Sequence, residues 1–237
     1  MIRVIKYYLN QILKIVNYNL KIIFAGRFLW FLLGAFAFFI FVSVIVVLEE
    51  GSIDEGTVYD IMLFPGLLLI FYPCTYGIQN DADSRMLEIL FGIPDYRFRI
   101  YLTRLTIIWI IIFSVLIIFT SVSWVLLAPV NIIEICGQLM FPVSFIGALG
   151  FFLSTVIRNG NGSAVALVTI GLLFFFFQDI FNDTYWYIYF NPLDTPFWEN
   201  EMVWASLAIK NRIFLTVAAI VFLLGGMFAL QRREKFL

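Results

Sequence analysis

Very few side chains of this chain could carry out acid–base, nucleophilic or metal chemistry. The 237 residues include no histidine, which is the commonest general base and metal ligand. The two cysteines, Cys74 and Cys136, lie inside apolar runs and are interpreted as small buried hydrophobic residues. The phosphate loop Gly-x-x-x-x-Gly-Lys-Ser/Thr is also absent from the sequence. We therefore do not expect an enzyme, a bound cofactor or a metal site in this chain.

The most informative polar residues follow Asn80. Asp81 and Asp83 precede apolar residues that recur at helical spacing, and carboxylates suit the N-terminus of a helix. Gly92 and Pro94 then end this short helix. The pattern predicts a two-faced helix whose apolar stripe packs either on the chain's own helices or in the groove of a partner. A second helix is expected to start near Asp95.

Composition requires an apolar environment for most of the chain. The chain is 62% hydrophobic and 13% charged, with a mean hydropathy of +0.98, whereas soluble domains are about 45–50% apolar. A membrane span needs about 20 apolar residues. The sequence predicts six such helices, at 28–48, 61–80, 105–127, 135–157, 160–178 and 213–231. No charged residue lies inside any of these windows, which argues against proton-coupled transport.

The segments between these windows have distinct characters. Residues 1–27 alternate polar and apolar positions at helical spacing, which predicts an amphipathic helix lying in the headgroup plane. The segment 179–212 is rich in tyrosine and tryptophan and is interpreted as an outer loop. It is either an interfacial aromatic belt or a lid over a translocation path. In the fourth window, Gly147, Gly150 and Ser154 predict close helix packing.

The distribution of basic residues predicts the orientation. Six spans would place thirteen of the fifteen lysines and arginines on the side of both termini, leaving only Lys210 and Arg212 on the other. By the positive-inside rule, both termini and the loop 81–100 are cytoplasmic. The net charge of −1 gives no indication of a nucleic-acid partner.

The loop after the second predicted span resembles that of the ABC-2 type permeases, the membrane subunits of a class of ATP-binding cassette exporters. Members commonly show an acidic pair, then Gly-Thr-Leu-Glu-x-Leu, then Pro and Arg. The matching residues here are Asp81, Asp83, Leu87, Glu88, Leu90, Pro94 and Arg97. Arg85 and Met86 stand where the family has Gly-Thr. The N-terminal amphipathic elbow and the six spans agree with this resemblance.

The resemblance implies an all-α, type V-like exporter fold with a cytoplasmic coupling helix formed by these residues. It implies a bacterial inner-membrane location and a second permease copy, either identical or a close paralogue. Two copies of a separate ATPase would bind ATP and magnesium. Powered by that ATPase, the permease would move cargo across the membrane.

The cargo is expected to be amphipathic or lipid-like, such as a peptide, a drug or a lipid. The expectation comes from the aromatic and hydroxyl side chains of the spans. A possible cargo path is formed by Phe174, Phe175, Phe176, Phe177 and Gln178. Lipid contact or helix packing is the alternative role for this run of phenylalanines.

The sequence leaves two other functions open and argues against a third. The chain could be a scaffold or assembly component of a cell-envelope machine such as the bacterial gliding apparatus. It could be a passive channel, although no ring of pore-lining charges is visible. An intramembrane protease of the kind that uses paired glutamates and histidines is excluded, because the spans contain neither residue.

Overall fold

The computed structural model describes residues 28–48, 53–83, 97–181, 184–196 and 200–230, and the side chains of 97–99 are not considered. All regular secondary structure within these ranges is helical. The helices are α1 (Phe28–Leu48), α2 (Glu55–Asp83), α3 (Thr103–Leu126), α4 (Ile132–Ile157), α5 (Gly160–Phe176), the short α6 (Gln178–Phe181) and α7 (Glu201–Ala229). A π-helical turn, Arg97–Leu102, leads into α3.

Five helices in the described part of the chain are long and apolar enough to cross a membrane: α1, α2, α3 with its preceding turn, α4 and α7. The prediction of an all-helical chain is confirmed for the described residues, and these five helices indicate the predicted multi-pass membrane protein by their length and composition. The predicted span 160–178 corresponds to α5, which has 17 residues. At 1.5 Å per residue α5 is roughly 25 Å long, shorter than the hydrocarbon core of about 30 Å.

The helix boundaries differ from the charge-free windows. α1 coincides with the predicted 28–48, but α2 extends from Glu55 to Asp83 and α7 already begins at Glu201. The predicted loop 179–212 was therefore wrong in its last third, and α6 occupies its start. The predicted loop 81–100 is likewise shorter, because α2 continues to Asp83 and the chain is helical again from Arg97. The amphipathic helix predicted for 1–27 lies outside the described residues.

Asparagine side chains start three of the helices. Asn131 accepts a hydrogen bond from the Glu134 backbone at the start of α4, and Asn159 accepts from two backbone N–H groups at the start of α5. Asn200 accepts from the Met202 backbone and begins α7. Each cap satisfies N–H groups that have no partner within their own helix.

α4 lies at the centre of the bundle, where it packs against α2, α3, α5 and α7. A Cβ atom on Gly147 would lie 2.7 Å from Ile70 of α2. One on Gly150 would lie 3.1 Å from Leu167 of α5 and 3.4 Å from Cys74 of α2. Ser154 is also buried. The close packing predicted for this face of α4 is confirmed. Both cysteines are buried and free.

Candidate functional site

The end of the bundle formed by the C-terminus of α2 and the start of α3 carries a buried ion pair. Arg104 Nη1 donates to Asp81 Oδ2 at 2.7 Å, and the two side chains are 8% and 3% exposed. Arg104 also lies 5.7 Å from the centre of the Tyr101 ring. The ion pair therefore joins the two helices that flank residues 84–96.

The structure corrects the predicted role of Asp81 and Asp83. Both lie in the last turn of α2, whereas the sequence predicted them as N-terminal caps. A carboxylate is unfavourable at a helix C-terminus, and for Asp81 the guanidinium of Arg104 compensates this. Arg104 and Arg212 each lie one residue before a predicted charge-free window, and the helices α3 and α7 begin early enough to include them. The structure brings Asp81 next to Arg104, which was not a predicted site residue.

The remaining predicted coupling residues are only partly described. Arg97 begins the π-helical turn that leads into α3. The others lie outside the described residues: Arg85, Met86, Leu87, Glu88, Leu90 and Pro94. The structure therefore describes the predicted coupling segment only at its two ends, up to Asp83 and from Arg97 onward.

The predicted cargo path lies at the end of α5. Phe175, Phe176 and Phe177 are 55%, 72% and 48% exposed, and Gln178 is also exposed. Phe174 is half-buried and its ring packs 5.2 Å from that of Phe181. Three of these five side chains thus form an apolar outer surface, as expected for lipid contact, rather than a path between the described helices.

At the opposite end of α2, Arg212 of α7 forms a buried hydrogen-bond network that sequence reasoning missed. Its Nε donates to Gln138 Oε1 at 2.8 Å and Nη1 donates to Asn211 Oδ1 at 2.9 Å. Its Nη2 contacts the Tyr59 hydroxyl at 3.2 Å and the Phe190 carbonyl oxygen at 3.4 Å. The guanidinium also lies 5.4 Å from the centre of the Phe141 ring. We call this set the Arg212 network.

The Arg212 network holds residues 184–196, which we call the cap segment, against the helices. Asn211 donates to the carbonyl oxygens of Tyr185 and Tyr187 at 3.0 and 2.8 Å. Asn191 donates to the Gly56 carbonyl at 2.9 Å. Gly56 is needed there, since an added Cβ would lie 3.0 Å from Asp194.

Two tyrosines of the cap segment are shielded from water. Burial raises the pKa of Tyr189 to about 12, and the charge of Tyr187 adds to the shift. The Tyr189 hydroxyl donates to the Gly171 carbonyl oxygen of α5 at 3.0 Å. Burial, with a smaller effect from the Asp60 charge, also raises the pKa of Tyr187. The cap segment is therefore a packed cover with neutral tyrosines.

A groove of about 410 Å³ opens beside the Arg212 network between α4 and α7. Its lining is mostly apolar and includes Gln138, Phe141, Ala208, Ile209, Arg212, Ile213, Thr216 and Val217. We call it the Arg212 groove. Its volume lies in the range typical of small-molecule sites, and its polar end is formed by Arg212 and Gln138.

The sequence contained a signal for this site. Asn200 followed by Glu201 is a typical helix start, and it places Arg212 within a helix rather than in a loop. A buried arginine in a helix of this apolar character is a candidate functional residue.

Among the described residues, no group of three or more His, Cys, Asp or Glu side chains has an arrangement that could hold a metal ion. Comparisons with family models, with curated proteins and with solved structures find no match to this chain.

Proposed function

We propose that the chain is the permease subunit of an ATP-binding cassette exporter. In this proposal, six helices including α5 cross the cytoplasmic membrane of a bacterium, with both termini in the cytoplasm. Two permease copies pair with two copies of a separate ATPase and move an amphipathic or lipid-like cargo. The segment that follows α2 is the coupling helix that contacts the ATPase.

The observation that supports this proposal is the ion pair between Asp81 and Arg104. A coupling helix must pass a displacement to the spans on both sides of it. The pair is buried, and charge pairs are strong in a low-dielectric environment. A push on residues 84–96 would therefore move the end of α2 and the start of α3 together.

The experiment is ATP-driven transport by the permease reconstituted in vesicles with its ATPase. We expect Glu88→Ala, and separately Arg85→Glu, to lower the transport rate and the stimulation of ATP hydrolysis while the protein still inserts. Asp179→Asn is the matched control, because it removes an exposed charge on α6 that is not part of the predicted coupling segment. Normal transport by both coupling variants would remove this segment from the mechanism.

The transport assay also separates the alternative functions. A chain that stimulates the ATPase but moves no amphipathic cargo would be a scaffold of a cell-envelope machine. Solute leakage without ATP would indicate a passive channel.

The orientation is tested independently with a reporter enzyme that is active only in the cytoplasm. Fused after Leu237, next to the basic residues Arg232, Arg233 and Lys235, the reporter should be active. A fully expressed but silent fusion would contradict a cytoplasmic C-terminus.

A further inference from the structure

The two buried arginines of the described bundle are compensated in different ways. Arg104 and Arg212 are both 7% exposed, but only Arg104 has a carboxylate within 4.0 Å among the described residues. All four hydrogen bonds of the Arg212 guanidinium go to neutral oxygens, those of Gln138, Asn211, Tyr59 and Phe190. Burying the charge of an arginine away from water lowers the stability of the folded protein unless an anion offsets that charge.

The Arg212 groove offers hydrogen-bond donors that no described residue uses. The guanidinium has five N–H groups and makes four hydrogen bonds. Gln138 presents its oxygen to Arg212, so its amide nitrogen points elsewhere, and that nitrogen donates to no described residue. The polar end of the groove therefore combines a positive charge with donors that have no acceptor in the described part of the chain, which is the chemistry that binds an oxyanion.

The apolar stretch of α7 that follows Arg212 is long enough to cross most of a bilayer. From Ile213 to Ala229, 17 residues of α7 carry no charge, and they cover roughly 26 Å of the hydrocarbon core. Arg212 immediately precedes this stretch, so a bilayer that the stretch crosses would place Arg212 at the boundary between acyl chains and headgroups. Ile209, Ile213 and Val217 are 61%, 59% and 55% exposed and supply an apolar track from that point.

We propose that the Arg212 groove binds an anionic phospholipid. The phosphate accepts hydrogen bonds from Arg212 and Gln138, and an acyl chain follows the exposed face of α7. Charge complementarity selects this occupant, since a neutral chain would fill the groove but leave the guanidinium uncompensated. The proposal concerns lipid binding by this chain and holds whether or not an ATPase partner exists.

The test is native mass spectrometry of the purified chain in neutral detergent, titrated with phosphatidylglycerol or phosphatidylcholine. We expect one phosphatidylglycerol per chain, bound about tenfold more tightly than phosphatidylcholine. Gln138→Glu gives Arg212 an internal counter-ion, and the new side chain has nearly the same size as the glutamine that it replaces. The variant should weaken phosphatidylglycerol binding about tenfold without lowering the unfolding temperature, because the new carboxylate neutralises the Arg212 charge and removes the amide donor of Gln138. Arg212→Gln should also abolish the preference for phosphatidylglycerol.

Lys210→Gln is the matched control, because it removes an exposed positive charge two residues from Arg212 on the same helix. It should change phosphatidylglycerol binding by less than about twofold. Three results would each overturn the proposal. These are equal binding of the two lipids, an unchanged preference in Gln138→Glu, and a loss in Lys210→Gln as large as that in Gln138→Glu. Displacement of the lipid by millimolar inorganic phosphate would assign the groove to a free anion instead.

Discussion

Asp81, in the last turn of α2, and Arg104, in the first turn of α3, are joined by a buried ion pair of 2.7 Å across 23 positions of sequence. The pair closes the end of the bundle that flanks residues 84–96. On the same helix α2, Tyr59 contacts the Arg212 network, 22 residues away by numbering and roughly 33 Å along the helix axis. α2 therefore links two buried polar clusters at opposite ends of the bundle.

We predict that Asp81→Asn destabilises the protein by about 3–5 kcal/mol, because it leaves the Arg104 charge buried without a counter-ion. Asp83→Asn is the control, since Asp83 is exposed two residues further along α2 and should change stability by less than about 0.5 kcal/mol. The measurement is thermal or denaturant unfolding in detergent. The double variant Asp81→Asn, Arg104→Gln should regain part of the loss. Equal losses of stability in Asp81→Asn and in the control Asp83→Asn would show that the ion pair is not important for stability.

We predict that Gly147→Ala destabilises the contact between α4 and α2. The new Cβ would lie 2.7 Å from Ile70 Cγ1 and 3.1 Å from Ile70 Cδ1, and overpacking of this kind costs about 1–3 kcal/mol. Gly137→Ala in the same helix is the control, because its Cβ would meet nothing within 4 Å. That variant should gain about 0.5–1 kcal/mol from the lower flexibility of alanine. Unfolding temperatures that shift in the same direction for both variants would contradict the packing.

We predict that Asp54 stabilises the start of α2 in a pH-dependent way. Its Oδ1 accepts from the Thr57 backbone N–H at 2.8 Å and from the Thr57 hydroxyl at 2.7 Å. These bonds hold the pKa of Asp54 below its ordinary value of 3.8. Because the pKa is lowered, the contribution of the Asp54 carboxylate to folding stability is complete above pH 3.8. It is lost as the pH falls through the pKa of the folded state.

The corresponding variant is Asp54→Ala, which should cost about 1 kcal/mol at neutral pH. The difference in unfolding temperature between wild type and this variant should shrink when the pH falls below about 4. A difference that stays constant from pH 7 to pH 3 would mean that the carboxylate is not the group that caps the helix.

We predict that Tyr189→Phe loosens the cap segment by about 1 kcal/mol, through loss of the hydrogen bond to the Gly171 carbonyl. Because the pKa of Tyr189 is raised to about 12 from 10.0, the folded state favours the neutral phenol. This contribution is complete below pH 10 and is lost as the pH rises from 10 through about 12. Hydrogen exchange of residues 184–196 in wild type and variant measures the effect. Identical exchange would contradict the anchoring role of the hydroxyl.

The sequence predicted the parts of the fold that depend on local composition. α1 has the expected ends, since Phe28–Leu48 is uniformly apolar. The close packing of the small residues in α4 was predictable, because a position without a large side chain allows close approach whichever residue the neighbouring helix presents. The number of membrane-spanning helices was harder to predict from the sequence, because α5 is short and its first residues are polar.

The polar clusters were harder to predict for a physical reason. Arg104 and Arg212 lie just outside the charge-free windows, and the windows end wherever a charge appears. The helices continue through these residues because partners distant in sequence satisfy them: Asp81 is 23 positions from Arg104 and Tyr59 is 153 positions from Arg212. Hydropathy along the chain contains no information on such pairs.

The most direct test of the proposed function is to purify the tagged chain in mild detergent and identify its partners by mass spectrometry. The account predicts a stoichiometric partner that carries a phosphate-loop ATPase domain, with two copies for each pair of permease chains. That association should weaken in Glu88→Ala and persist in Asp179→Asn. A chain that purifies alone as a stable assembly would contradict the exporter proposal and the assignment of a coupling helix to the segment after Asp83.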